Sequence, residues 1–227
     1  MERQERYDEK LVQILRSACG IFAERGFHNT SVRDVAAATG VSPAGLYYYF
    51  KSKEELLFLV LEDSLQSLLE RIRQETNGTK DPVRLLRIIV RTHLTHFDLH
   101  RQEMRVLANE WETLSGPFDK EIRRLMREYA GLVTRTFRRL SPERSSQELR
   151  AAAFGLFGML TWVDQWHRPG RDLSVELLAD EFSDIFLKGF LNADASSQAV
   201  MTNGKESATG EEDRSSSPFA ILSGPGF

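Results

Sequence analysis

Residues 30–53 have the sequence TSVRDVAAATGVSPAGLYYYFKSK, and this pattern predicts two short helices joined by a tight turn. Ser31 and Asp34 have the spacing of a capping box, which satisfies the free backbone amides at the start of a helix. Gly40 provides the permissive backbone that a sharp turn needs. Ser42 is a second cap, and the proline after it suits the first helical position. The arrangement is typical of a helix-turn-helix, which places its second helix in the major groove of DNA.

A wider segment carries a family resemblance. The sequence GVSPAGLYYYFKSKEEL at 40–56, preceded by ERGFHNTSVRDVA at 24–36, resembles the N-terminal DNA-binding domain of TetR-family transcriptional regulators. The close match covers about residues 8–60, and the helical pattern of the remaining chain also suits that family. Many members have histidine where this chain has Tyr49, so a DNA contact made there by histidine would be made differently here.

The chemistry of this segment identifies candidate DNA contacts. Free amides and the positive dipole end at a helix start bind phosphate, and tyrosine hydroxyls can donate to phosphate. On these grounds we predict DNA contacts for Ser31, Arg33, Ser42, Tyr47, Tyr48 and Lys53. The resemblance implies further contacts for Pro43, Ala44, Gly45 and Tyr49. Packing in the core is the alternative role of the three tyrosines.

The composition permits DNA binding but does not by itself indicate it. The net charge of −3 and the pI of about 6.0 argue against a general nucleic-acid binder, although residues 1–53 have eight basic and six acidic side chains. The single cysteine, Cys19, excludes internal disulfides and cysteine-rich zinc modules and suits a reducing cytoplasm. No signal segment is expected at the N-terminus, and the longest apolar run, 151–163, is too short to cross a bilayer.

Helical periodicity continues along the chain and predicts an all-α protein of about nine helices. Outside the helix-turn-helix, the expected helices lie at about 3–25, 52–75, from 82 onward, 101–113, 118–140, 146–166 and 175–191. We assign residues 1–53 to DNA binding and residues 54–193 to ligand binding and dimerisation. The composition of residues 194–227 shifts to serine, glycine and acidic residues, which predicts a disordered tail.

The last two helices are the predicted dimer surface. One helix-turn-helix makes too few contacts for specific binding, so we expect a homodimer on palindromic DNA. Small residues there allow helices to approach closely, and large apolar residues supply buried area. The predicted interface, a four-helix arrangement of two pairs, contains Phe154, Gly155, Gly158, Trp162, Phe182, Phe186 and Phe190. The alternative is that these residues form the core of a monomer.

The middle helices are expected to hold a pocket for an apolar ligand. Aromatic side chains with a few polar tips are what such a site needs. The candidate lining residues are His93, Phe97, Trp111, Arg123, Met126, Tyr129, Phe137, Phe157 and Trp162. Ordinary core packing is the alternative for each of them.

Three histidines, His93, His96 and His100, share one face of the fifth helix. Imidazoles so spaced can bind a metal, but no acidic ligand pattern accompanies them. We therefore expect neither a metal nor any other cofactor.

Residues 161–189, TWVDQWHRPGRDLSVELLADEFSDIFLKG, add a narrower resemblance. This segment is similar to the C-terminal region of TetR-family regulators of fatty-acid and steroid degradation, the FadR-like group. The resemblance implies an acyl-CoA effector. The phosphates of CoA would need basic partners, which helix seven (Arg123, Arg124 and Arg127) or the later loop (Arg168 and Arg171) could supply.

These observations favour a ligand-responsive, homodimeric DNA-binding repressor that controls lipid-degradation genes through an acyl-CoA. The runner-up is a repressor that senses drugs or aromatic compounds and controls an efflux or detoxification gene. An enzyme is disfavoured because the sequence has no Ser/His/Asp or Cys/His pattern, phosphate loop or HExxH motif. A scaffold protein whose helix-turn-helix no longer binds DNA is the remaining alternative.

Overall fold

The computed structural model describes the backbone of residues 2–192 and the side chains of residues 5–189. The predicted tail at 194–227 and the side chain of Phe190 therefore lie outside the described part of the chain. Every regular element within 2–192 is helical and none is a strand, so the all-α prediction is confirmed. None of the described helices combines the length and apolar character that crossing a bilayer requires.

Nine α-helices follow one another in residues 2–192, with one 3-10 turn at Trp111–Thr113. They are α1 (Glu2–Arg25), α2 (Val32–Thr39), α3 (Pro43–Leu46), α4 (Lys53–Thr76), α5 (Pro82–Leu99), α6 (Arg101–Glu110), α7 (Gly116–Leu140), α8 (Ser146–Trp166) and α9 (Val175–Asn192). The predicted turn at Gly40 is present, and its φ of 66° lies in the left-handed region that glycine adopts without strain.

The structure differs from the sequence prediction at three helix ends. Helix α3 is only one turn long, and the tyrosines at 47–49 lie in the turn that follows it. Helix α6 ends at Glu110 and continues as the 3-10 turn, whereas one helix was predicted over 101–113. Helix α7 begins at Gly116 rather than near Phe118. Pro117 occupies its second position, where a residue without an N–H loses no intrahelical hydrogen bond.

The described residues divide into two compact units, which we call unit 1 and unit 2. Unit 1 contains residues 2–73 and 96–129, and unit 2 contains residues 74–95 and 130–192. Most of α4 thus belongs to the same compact unit as the helix-turn-helix. The predicted boundary after residue 53 separates a DNA-binding segment from a ligand-binding one and is not a boundary between compact units. It stays a prediction.

The core of unit 1 includes the inner faces of the helix-turn-helix. Leu46 and Phe50 are 0% and 2% exposed. Helix α2 packs against α1, and α1 also packs against α6. Cys19 on α1 is buried, and burial followed by the charge of Glu103 raises the pKa of its thiol to about 12. The thiol is therefore protonated at neutral pH.

Unit 2 contains α8 and α9, which pack against each other. One side of this pair is buried and includes Leu149, Leu156, Leu160 and Leu178. Two ion pairs join α5 to α9 within the same unit, one between Arg87 and Asp184 and one between Arg91 and Asp180. The opposite side of α8 is unusually apolar for an exposed surface.

Candidate nucleic-acid interface and effector region

The capping box that begins α2 is formed. The Ser31 N–H donates to Oδ2 of Asp34 at 2.7 Å, the Ser31 hydroxyl donates to the same oxygen at 2.5 Å, and the Asp34 N–H donates back to Ser31 Oγ at 3.3 Å. These hydrogen bonds from Ser31 hold the pKa of Asp34 below its usual range. The Ser31 hydroxyl hydrogen thus already has an acceptor inside the protein. A DNA phosphate would have to compete with Asp34 for it.

Helix α3 presents a small, exposed surface at its start. Ser42 Oγ accepts from the Gly45 N–H at 3.1 Å, which confirms the predicted cap. Ser42, Pro43 and Ala44 are exposed, while Gly45 is half-buried. A Cβ added at Gly45 would lie 3.0 Å from Val41 Cγ1 and 3.2 Å from Ser42 Oγ. Glycine at this position therefore allows the close approach of α3 to its own cap.

The three tyrosines after α3 are not equivalent. Tyr47 is 53% exposed and Tyr48 is 67% exposed, so core packing is excluded for both rings. Tyr49 is half-buried, and its ring stacks on that of Tyr7 with centroids 4.9 Å apart. Tyr49 therefore has a packing role. Its predicted contact with DNA stays a prediction.

Tyr7 was not among the predicted functional residues. It lies on the second turn of α1, and its ring also meets Tyr48 edge-on at 5.6 Å between centroids. Helical periodicity places Tyr7 on a face of α1, but it does not indicate which residue of a distant turn meets that face. No sequence signal connects the two positions.

Lys53, the predicted DNA-backbone clamp, has two partners inside the protein. Its Nζ donates to the carbonyl oxygens of Phe27 and Thr30, each at 2.8 Å. The same atom lies 4.1 Å from the centre of the Phe27 ring, within the range of a cation–π contact. Since an ammonium group has three N–H donors, one remains for phosphate. Arg33, by contrast, is exposed on α2 and free to approach a phosphate through solvent.

Two further contacts in unit 1 hold the same region. The Phe27 N–H donates to Oε1 of Glu110, at the end of α6, at 2.9 Å. Glu54 Oε1 accepts from the backbone N–H and the hydroxyl of Ser115, at 2.7 and 2.8 Å. The loop before α2 and the start of α4 are thus both tied to the segment between α6 and α7. Neither contact is predicted by the sequence patterns.

Most candidate effector residues of unit 1 are internal. Phe97, Trp111 and Tyr129 are buried, and burial strongly raises the pKa of the Tyr129 phenol. Met126 is half-buried. Arg123 donates to Asp119 at 2.7 Å and lies 4.9 Å from the Trp111 ring. Burial suits both core packing and the lining of an enclosed cavity, so their role in ligand binding stays a prediction.

The candidate effector residues of unit 2 fall into two groups. His93, Phe137 and Phe157 are buried, and the ring of Phe137 stacks on that of Phe186 at 5.0 Å. Trp162 is 65% exposed in the single chain. The predicted role of Trp162 in the effector pocket stays a prediction. Its assignment to the dimer surface is consistent with this exposure.

The exposed face of α8 has the character of an interface. A Cβ added at Gly155 or Gly158 would meet no atom within 4 Å, so packing within the chain does not require glycine at either position. Trp162 and Trp166 continue this face, and Ile185 on α9 is 58% exposed. The other predicted interface residues, Phe154, Phe182 and Phe186, are half-buried. Core packing alone therefore does not account for this face.

Two of the three histidines, His93 and His96, lie on α5, and His100 follows its last residue. His96 is 1% exposed, and its ring stacks on that of His100 with centroids 4.4 Å apart. No group of three or more His, Cys, Asp or Glu among the described residues has a geometry that could hold a metal ion. Burial, followed by the charges of His100 and Arg71, lowers the pKa of His96 to about 4. This imidazole is neutral at neutral pH.

A polar groove of about 470 Å³ lies along α4 and α7 within unit 1. Its lining residues are Asp63, Gln66, Ser67, Leu69, Glu70, Arg73, Arg124, Leu125 and Glu128. Both arginines are paired with carboxylates: Arg73 with Glu128, and Arg124 with Glu121 at 2.7 Å. An anionic ligand would have to displace these carboxylates, and Leu69 and Leu125 supply little of the apolar lining that an acyl chain needs.

Two segments of the chain match models of known protein families. Residues 14–60 match the model of bacterial regulatory proteins, tetR family, and residues 79–190 match the model of a tetracyclin repressor-like C-terminal domain. The HTH-type transcriptional repressor KstR2 of Rhodococcus jostii (strain RHA1) is 30% identical over 189 residues, covering 78% of this chain and 89% of that protein. The HTH-type transcriptional activator FasR of Mycolicibacterium smegmatis is 32% identical over 107 residues, covering 47% of this chain and 49% of that protein.

Two solved structures are similar over most of the chain. A TetR-family transcriptional regulator from Bordetella parapertussis 12822 has 29% identity and a TM-score of 0.75, covering 80% of this chain and 96% of that one. AibR in complex with isovaleryl coenzyme A and operator DNA has 26% identity and a TM-score of 0.71, covering 78% of this chain and 97% of that one.

Proposed function

Because the chain belongs to the TetR family of bacterial transcriptional regulators, we propose that it is a homodimeric repressor that releases operator DNA when it binds an acyl-CoA. The genes under its control serve lipid or steroid degradation, and the protein acts in the cytoplasm. The curated relatives reported above are transcriptional regulators rather than enzymes, and we assign the chain no catalytic activity.

The exposed side of the helix-turn-helix supports the DNA-binding part of this proposal. Leu46 and Phe50 point into unit 1, so the opposite side of α3 is available to contact a base pair or a phosphate. That side carries Pro43, Ala44 and Tyr47, with the Tyr48 hydroxyl beyond them. Because alanine and proline side chains make no hydrogen bonds, base readout is sparse, and sequence specificity also depends on DNA shape.

The exposed face of α8 supports the homodimer. In a two-fold symmetric dimer, the same patch of both subunits meets itself, so a face of small residues brings two copies of α8 close together. Gly155 and Gly158 provide the space for this approach, and Trp162 and Ile185 supply apolar area around it. The two recognition helices of such a dimer, one from each subunit, then lie about 34 Å apart, which is the spacing of successive major grooves.

One observation carries the proposal of an acyl-CoA effector: the similarity to AibR extends over 97% of that chain, and its structure contains isovaleryl coenzyme A together with operator DNA. KstR2, similar over 89% of its length, is a repressor by name. The buried candidates Phe97, Trp111 and Tyr129 stay candidates for contact with the acyl group within unit 1.

A thermal-shift titration of the purified chain tests the effector. Acyl-CoAs of graded chain length are compared with free CoA and with the matching free fatty acids. A ligand that binds only the folded state must raise the melting temperature as its concentration rises. We expect stabilisation that requires both the acyl chain and the CoA. Stabilisation by flat aromatic or cationic drugs in place of all acyl-CoAs would contradict the proposal and favour a drug-sensing repressor.

A further inference from the structure

Three tyrosine rings form a cluster at the surface of unit 1. The ring of Tyr7 stacks on that of Tyr49 at 4.9 Å and an interplanar angle of 20°. It meets the ring of Tyr48 edge-on at 5.6 Å and 79°, and Tyr48 meets Tyr49 edge-on at 5.4 Å and 89°. Each ring therefore contacts the other two in a geometry that aromatic pairs prefer.

The turn that contains two of these rings lies between the buried side chains of Leu46 and Phe50, and the Phe50 N–H donates to the Leu46 carbonyl at 3.3 Å. Helix α3 ends at Leu46, and beyond it the Tyr48 and Tyr49 N–H groups donate to the carbonyls of Gly45 and Leu46 at 3.2 and 2.9 Å. Bonds between residues three apart form a tighter and weaker turn than the α-helical ladder. Tyr48 is more exposed than buried, so packing on its own unit does not fix its ring. The edge-on contact with Tyr7 restrains this ring from outside the turn.

We infer that Tyr7 of α1 is a positioning residue for operator binding, which holds Tyr48 and Tyr49 in the arrangement that meets DNA. This inference rests on the proposed DNA-binding function and adds a residue outside the helix-turn-helix to it. The ring of Tyr7 fixes the direction of both phenol groups before DNA arrives. Operator binding then loses less conformational entropy than it would with freely rotating side chains.

The position of Tyr7 on α1 supports this role. The neighbours Glu5, Arg6, Asp8 and Glu9 are exposed, whereas Tyr7 is half-buried. Ile14, one heptad further on, is completely buried in unit 1. Tyr7 thus lies at the end of the inward-facing stripe of α1, where the surface that it covers is the tyrosine turn rather than the core.

The test compares Tyr7→Ala and Tyr7→Phe with the wild-type chain. Phenylalanine keeps the stacked ring and removes only the hydroxyl group. Val12→Ala is the matched control, because Val12 is an exposed apolar residue of the same helix and its spacing of five residues places it on another face than Tyr7. Each full-length protein is measured for hydrogen exchange of the amides at 45–50 without DNA. Each is also titrated with a duplex that the wild-type chain selects from a random DNA library.

We expect Tyr7→Ala to speed amide exchange at 48–50 and to weaken operator binding about tenfold, since two aromatic contacts together contribute roughly one decade of affinity. Tyr7→Phe and Val12→Ala should match the wild-type chain in both measurements. Unchanged exchange in Tyr7→Ala would overturn the inference whatever the DNA result. A loss in Tyr7→Phe equal to that in Tyr7→Ala would also overturn it, because the hydroxyl would then contact DNA directly.

The two proposals fail in different ways. If the wild-type chain selects no duplex, the proposed DNA-binding function is wrong, and the operator role of Tyr7 is wrong with it. If the wild-type chain binds its selected duplex and Tyr7→Ala binds equally well, only the role of Tyr7 is wrong. If Tyr7→Ala lost its melting transition, its weaker DNA binding would reflect unfolding rather than a loss of positioning. The Tyr7→Phe protein keeps the ring packing and separates these two cases.

Discussion

The Nζ atom of Lys53 lies 2.8 Å from the carbonyl oxygen of Phe27 and 4.1 Å from the centre of the Phe27 ring. The first residue of α4 is thereby joined to the loop that leads into the helix-turn-helix. Glu110, the last residue of α6, binds the N–H of the same Phe27 at 2.9 Å. The position of this loop, and of the DNA-contacting residues that follow it, thus depends on two helices of unit 1.

Lys53→Met removes the ammonium group but keeps most of the apolar stem over Phe27. The carbonyls of Phe27 and Thr30 then lose the ammonium donor, although the Phe27 carbonyl still accepts from the Thr30 N–H at 3.2 Å. We expect the free energy of unfolding to fall by about 1–3 kcal/mol. Operator binding should weaken as well, because the loop before α2 is no longer fixed. Chemical denaturation and fluorescence anisotropy with a selected duplex measure the two effects.

Lys51→Met is the control for that experiment, because the Lys51 side chain is exposed two residues earlier. It should leave the free energy of unfolding unchanged. If Lys53→Met also left unfolding unchanged but reduced the salt dependence of DNA binding by about one counterion, Lys53 would be a direct phosphate contact instead.

Gly45→Ala tests the close approach of α3 to its cap. The new Cβ would lie 3.0 Å from Val41 Cγ1. Either the new Cβ or the Val41 side chain must move. The helix also gains about 0.5–1 kcal/mol of stability, because alanine is a better helix former than glycine. We therefore expect weaker operator binding with little change in melting temperature. Gly20→Ala is the control, since a Cβ there meets Gln102 Oε1 at an ordinary 3.5 Å. Unaltered affinity in Gly45→Ala would show that the α3 cap tolerates the displacement.

Gly158→Leu tests the dimer face. The single chain has open space around this position, so the folded subunit should accommodate the side chain. Two copies of α8 could then no longer approach closely, and we expect light scattering to report monomers with an unchanged helical circular dichroism spectrum. Ala37→Leu adds the same side chain at an exposed position of α2 and should leave the dimer intact. A Gly158→Leu protein that stays dimeric would place the interface elsewhere.

His96 gives unit 1 a pH-dependent stability. The pKa of its imidazole falls from 6.5 in the unfolded chain to about 4 in the folded one, mainly because burial disfavours the charged form. The unfolded state therefore binds a proton first as the pH falls below 6.5. The free energy of unfolding should drop by about 1.4 kcal/mol per pH unit in that window and level off below the folded pKa.

His96→Phe keeps an aromatic ring against His100 and removes the titrating group. Its free energy of unfolding, measured by denaturant at pH 7, 6 and 5, should fall less steeply than that of the wild-type chain. Parallel pH profiles of the two proteins would mean that His96 takes up its proton as readily in the folded state as in the unfolded one.

Local features of this fold could be predicted from the sequence. The capping box at Ser31, the cap at Ser42 and the left-handed turn at Gly40 each depend on residues within four positions of one another. Such short-range patterns are visible in the sequence because one residue type satisfies a fixed set of nearby backbone groups. Together with the family resemblance, they sufficed for the all-α fold and the helix-turn-helix.

Contacts between distant segments could not be predicted. Lys53 and Phe27 are separated by 26 positions and Phe27 and Glu110 by 83, and helical periodicity defines a face but not its partner. For the same reason, the contacts of Tyr7 with Tyr48 and Tyr49 could not be predicted. The apolar character of α8 was visible in the sequence, but only the open space around Gly155 and Gly158 distinguishes an exposed face from a core.

Release of DNA by an acyl-CoA tests the central claim most directly. The full-length chain is bound to its selected, fluorescently labelled duplex, and anisotropy is followed as isovaleryl-CoA or a longer acyl-CoA is added, with free CoA as the control. We predict that at least one acyl-CoA releases the duplex while free CoA does not, because an effector shifts the equilibrium only by its difference in affinity for the two states. Binding that persists at saturating concentrations of every acyl-CoA would contradict the account.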